Sequence, residues 1–116
     1  MEQEYIKGDI VMYDNKIHTI MDALGVNNYE LSYISHPVNQ LELSGVPLTY
    51  EILEKNGWEH KDDVYFKEYP HRKLVIMDYN AYIINEYCSM FLCKVKYVHK
   101  LQHLLFGLGL KSEMEV

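Results

Sequence analysis

Residues 64–95 read VYFKEYPHRKLVIMDYNAYIINEYCSMFLCKV. Four runs in this stretch, Val64–Tyr69, Leu74–Tyr79, Tyr82–Tyr87 and Met90–Val95, are rich in the aromatic and β-branched residues that suit a pleated, half-buried surface. Pro70, Asn80 and Cys88–Ser89 supply breaks between them. The stretch therefore predicts a meander of antiparallel strands.

Working back toward the start, the same grammar recurs in shorter pieces. Ile10–Tyr13, Lys16–Leu24, Tyr29–Ser35 and Val38–Leu43 are predicted strands. Asp14–Asn15 is a tight turn, because both residues tolerate left-handed backbone. Gly25 with Asn27–Asn28, and then His36–Pro37, mark the next two breaks. Short strands with turns at this spacing predict a small antiparallel barrel or a curled sheet.

Between the two strand-rich regions the pattern changes at Ser44–Pro47. Thr49 reads as an N-cap, Glu51 sits in the first turn, and Gly57 is a natural stop. A helix of about two turns is too short to be stable alone. It needs packing of Ile52, Leu53 and Trp58. A second, longer helix is predicted from about Tyr97 to Leu108, ended by Gly107 and Gly109. Lys111–Val116 reads as a loose tail. At 100° per residue, Tyr97, Val98, Leu101, Leu104, Leu105 and Leu108 form one stripe, the expected core face. His99, His103, Phe106 and Leu110 fall together on another face.

The predicted class is thus α+β. Residues 1–46 form a small β-barrel or curled sheet, and residues 47–116 a helix–meander–helix packed on it as one compact unit. A chain of 116 residues is long enough to bury a stable core without metals or disulfides. Hydrophobic content of 48% with 24% charge fits a globular rather than a disordered chain. The 11 tyrosines suit strand surfaces, and they also suit contact surfaces.

Net charge is −6 and unevenly placed: residues 1–46 carry −5 and residues 47–116 carry −1. With a single arginine, Arg72, the chain is a poor general binder of phosphate backbones. Lys94, Lys96 and Lys100 are the one local basic cluster, and would be the nucleic-acid contact if there were one, with Tyr97 stacking on a base. Cys88 and Cys93 lie in an apolar stretch and are expected as buried free thiols. The opening Met1–Glu4 is acidic where a secretory signal needs basic residues. No apolar run approaches the roughly 20 residues that span a membrane. The expectation is a cytoplasmic protein with no membrane partner.

No reaction is specified. His99 and His103 have the i, i+4 spacing of a metal-binding helix, but Lys100 stands where the metalloprotease pattern has its glutamate, and no further ligand pair has suitable spacing. No phosphate loop and no nucleophile elbow are present. The chain is expected to have no catalytic residue, no metal and no cofactor. The alternative is a small enzyme whose site is assembled from distant residues, with a polar concavity near a histidine or cysteine as its sign.

Three stretches carry a resemblance: Tyr5–Val11, Pro47–Thr49 through Asn56–Trp58, and Lys96–Leu104. In this order the chain resembles small uncharacterised proteins of Bacteroides-type bacteria and their prophages. The resemblance implies a stand-alone protein in a mobile-element setting, and no activity. The opening segment is also loosely similar to Src-homology-3-like barrels, a fold that hosts many partners. The expected function is non-catalytic binding to protein, or self-association as a homo-oligomer. The contact is expected on the last helix at Tyr97, His99, His103, Phe106 and Leu110. The alternative is a nucleic-acid-associated accessory protein of a mobile element.

Overall fold

The computed structural model describes residues 4–25 and 27–116. Met1–Gln3 of the acidic opening, and Val26 within the second turn, lie outside the described residues. The chain divides into two compact units, residues 1–47 with 97–114, and residues 48–96 with 115–116. The first break falls beside the expected boundary at 46/47. The last helix, however, belongs with the first sheet and not with the meander.

The first unit is a curled antiparallel sheet. Its strands are β1 (Ile10–Tyr13), β2 (Lys16–Ala23), β3 (Asn28–Leu31), β4 (Val38–Asn39) and β5 (Ser44–Gly45), in the order β4-β3-β2-β1-β5. Asp14 and Asn15, at φ 49° and 60°, make the tight turn that joins β1 to β2 in register. A register shift between Ile20 and Asp22 bends β2 against β3. Tyr5, Val11, Ile20, Tyr29, Leu31, Val38 and Leu43 form the core on the inner face.

Two predicted strands are shorter than expected. β3 ends at Leu31 because Tyr33 turns the chain with φ 63°. The run Val38–Leu43 pairs only through Val38 and Asn39. Asn39 then caps a 3₁₀ turn over Gln40–Glu42: its side chain accepts from the Leu41 N–H at 2.9 Å, and Glu42 accepts from the Asn39 N–H at 3.2 Å. This reciprocal cap gives the backbone a local alternative to the ladder.

Helix α2 (Val98–Gly107) packs against β1. Its buried residues are Val98, His99, Leu101, Gln102 and Leu105. That arc is turned by roughly 75° from the expected stripe, on 100° per residue. Leu104 and Leu108 are only half-buried, and Tyr97 is exposed. The rotation follows from Gln102. Its side-chain oxygen accepts from the Ile10 N–H at 2.9 Å, and its amide donates to the Gly8 carbonyl at 3.0 Å and the Ser112 carbonyl at 3.2 Å. A fully satisfied amide can be buried at little cost, which apolar periodicity does not register.

The second unit begins with α1 (Tyr50–Lys55), capped as expected: Thr49 accepts from the Ile52 N–H at 3.2 Å. Gly57, at φ 85°, ends the helix, and the Trp58 N–H returns to the Leu53 carbonyl at 3.0 Å. The meander follows: β6 (Glu59–Lys61), β7 (Val64–Tyr69), β8 (Arg72–Met77), β9 (Asn80–Ile84) and β10 (Ser89–Lys94), in the order β10-β9-β8-β7-β6. Asp62–Asp63 and Asp78–Tyr79 are two-residue turns with positive φ throughout, so Asn80 is a strand residue and not a break. The expected loose tail is tied at its tip, where the Asn56 amide donates to the Glu115 carbonyl at 2.7 Å and its oxygen accepts the Glu115 N–H at 2.8 Å.

Cross-strand register assigns the two faces of this sheet. Tyr65, Leu74, Ile76 and Ala81 are buried on one face. Tyr50 of α1 stacks on Tyr65 at 5.0 Å, and Lys67 donates to the Asn56 carbonyl at 3.0 Å, so α1 covers that face.

Candidate functional site

The opposite face of the second sheet has no helix of its own unit above it. Register places Glu59, Phe66, Val75, Tyr82 and Phe91 in one row across all five strands. The four apolar members stand one strand apart and so span about 14 Å. Tyr82 and Phe91 meet edge to face at 5.6 Å, and the Lys73 ammonium lies 5.2 Å above the Phe66 ring. Phe66, Val75 and Tyr82 are half-buried, and Phe91, on the edge strand, is 53% exposed. Met77, beside Val75, is also exposed. The two edges differ. β6 is short and reads Glu-His-Lys, whereas β10 carries Met90, Phe91 and Leu92, with a register shift between Phe91 and Cys93. Charge on β6 and a bulge on β10 are both devices that discourage indiscriminate strand pairing. An apolar row on the face opposite α1 is then the feature left to explain.

The helix face expected to make contact divides in two. Phe106 is 66% exposed, Tyr97 is exposed, and Leu110 is half-buried. His99 is not on the surface: it is 2% exposed, under Tyr5 and beside Gly45. Both of its ring nitrogens lack a hydrogen-bond partner among the described residues. Burial therefore holds its pKa down at about 4, and the neighbouring Lys100 and His103 push the same way. His103, one turn on, donates from Nε2 to Asp9 Oδ2 at 2.6 Å. Asp9 is 2% exposed and also accepts the Ile6 N–H at 2.9 Å. Burial raises the Asp9 carboxyl above the ordinary range, against the pull of these two donors. The pair i, i+4 thus has opposite fates, one imidazole tied to a carboxylate and one sealed in the core. Among the described residues, no group of three or more His, Cys, Asp or Glu is placed to hold a metal ion.

The three lysines are all exposed. Lys94 ends β10 and Lys96 follows it in the second unit, while Lys100 lies in the first turn of α2 in the first unit. Cys88 is exposed in the turn before β10, contrary to the expected burial, because Asn85 folds that turn outward by accepting the Tyr87 and Cys88 N–H groups at 2.8 and 2.9 Å. Cys93 is half-buried, and neither cysteine forms a disulfide.

Concavities do lie beside histidines: two, of about 290 and 210 Å³, share His71, Asn85 and Glu86 in their linings within the second unit, and one lies beside His18 in the first. A cleft of about 330 Å³ is bounded by Tyr13, Ile17, His18 and Tyr33, with Asp14 and Lys16 at its rim. The His18 Nδ1 is engaged with the Ser32 carbonyl at 2.8 Å, and the lining includes no Ser, Thr or Cys.

Sequence reasoning put His99, His103, Phe106 and Leu110 on one helix face, of which His99 is buried and Phe106 exposed, and it missed the sheet row. That row depends on which residues stand opposite one another, and register is set by turns that were misplaced by one or two residues. No described helix is long and apolar enough to cross a membrane. No family model matches the chain, and no curated protein and no solved structure matches it.

Proposed function

We propose that this is a non-catalytic binding protein that engages a protein surface, a second copy in the simplest case, through the open face of the second sheet. The observation that carries the reading is the row Phe66–Val75–Tyr82–Phe91 on a face that α1 leaves uncovered. Aromatic anchors at the centre of a patch with a polar rim are the composition of protein contacts. Glu59, Lys73 and Lys94 supply such a rim. The test is native mass spectrometry of the untagged protein beside Phe91→Glu. The reading expects a multiple of the chain mass, or a second protein's mass, in the wild type and the bare chain mass in the variant. A bare chain mass in both would overturn it.

A second reading places the contact on α2, and the 66% exposure of Phe106 favours it. Phe106→Glu separates the two, because it leaves the sheet untouched. The strand order of the first unit, with β5 returning to β1 after a 3₁₀ turn, supports reading it as a Src-homology-3-like barrel. That likeness adds a scaffold rather than a partner. Nucleic-acid binding at Lys94, Lys96 and Lys100 is the less supported alternative, given a net charge of −6. A salt-independent or absent shift with DNA and RNA removes it.

A further inference from the structure

We infer that His99 is an acid-sensitive latch, which seats α2 on the first sheet while its ring is neutral and releases the helix when the ring is protonated. The inference stands on the first unit alone and is independent of the sheet surface.

A neutral imidazole carries one N–H donor and one acceptor, and an imidazolium carries two donors. Neither ring nitrogen of His99 has a partner among the described residues. The ring is bounded by aromatic neighbours: Tyr5 at 5.0 Å, Tyr97 at 5.9 Å and His103 at 5.7 Å. Behind it, a Cβ on Gly45 would lie 3.0 Å from the His99 Cε1 and 2.7 Å from the Tyr97 Cδ1. The ring is therefore closely held, and a second N–H would have no acceptor. An uncompensated buried charge is relieved by moving the group to water. His99 sits in the first turn of α2, so moving it disturbs the start of the helix, where the Val98 N–H meets the Val46 carbonyl at 2.8 Å.

The charged and titratable groups around it are few. Lys100 and His103 on α2 oppose a positive ring, and Glu4 on the N-terminal segment favours it. β5 contributes Gly45, which does not titrate. Asp9, ahead of β1, binds His103 instead. His99's pKa is lowered by folding, so its contribution is complete above about 6.5, the ordinary histidine value, and is lost as pH falls toward 4. Asp9 acts in the opposite sense, since a carboxyl whose pKa is raised by folding favours the folded state in acid. The latch is therefore read as a difference between the wild type and a chain without the imidazole.

The experiment is hydrogen exchange of the full chain, corrected for intrinsic rates, at pH 7.0 and 4.5, for wild type and His99→Phe. Phenylalanine keeps a flat ring and cannot be protonated. The expected result is that opening of α2 and of the Ile10 amide increases with acid by one to two orders of magnitude more in the wild type than in the variant. Equal pH dependence in the two chains would overturn the latch. If the variant fails to fold, the wild-type His99 ring is titrated by NMR. A ring still neutral at pH 5.5, with α2 protection lost as it titrates, supports the latch. Titration at the ordinary histidine pH, or without loss of protection, overturns it.

Discussion

At the residue scale, a few side chains hold the first unit in ways their type does not announce. Gln102 satisfies three backbone groups with one amide. Gln102→Ala should cost about 2–4 kcal/mol, because the Ile10 N–H is left buried without an acceptor; urea titration would read it, and a loss within about 0.5 kcal/mol, the range of an ordinary surface change, would contradict the assignment. Gly45 is the second such residue. A methyl there would sit 2.7 Å from the Tyr97 ring, so Gly45→Ala should destabilise by about 1–3 kcal/mol through overpacking, visible as a lowered melting temperature. His99 is the third. A shift from 6.5 to about 4 corresponds to roughly 3 kcal/mol lost between those pH values. Residue type alone marked His99 and His103 as partners on one face. Burial separates them, and burial depends on the strands that α2 meets.

At the scale of elements, local chemistry was legible wherever it was self-contained. Asp14–Asn15 names its own turn, and Thr49 with Gly57 brackets α1. Thr49→Ala should cost about 1 kcal/mol in a thermal melt, and no change would mean that the cap contributes nothing. The missed elements lack a local signal. β5 is only Ser44–Gly45 and β6 is Glu59–Lys61, and both exist because a longer neighbour offers them a ladder. Asp78–Tyr79 was hidden for a different reason. A tyrosine at φ 61° is poor turn chemistry, and its ring is held near Tyr50 at 6.5 Å. The phase of α2 was misread because the hydrophobic stripe omits a buried glutamine. The row across the second sheet was invisible until those turns fixed the register.

At the scale of the whole molecule, the chain is two units, and the segment 97–114 returns to the first after the second has been built from 48–96. The α+β class and the two strand-rich regions were legible from composition and turn spacing. The return of the last helix to the first sheet was not, since nothing local to Tyr97–Leu108 says which sheet it joins. The functional reading also belongs to this scale, because an apolar sheet face matters only through what meets it. The most direct measurement is native mass spectrometry of the untagged wild type, with Phe91→Glu and Phe106→Glu in parallel. The account predicts added mass in the wild type and in Phe106→Glu, and the bare chain in Phe91→Glu. A wild type at the bare chain mass, or added mass that survives Phe91→Glu, would contradict it.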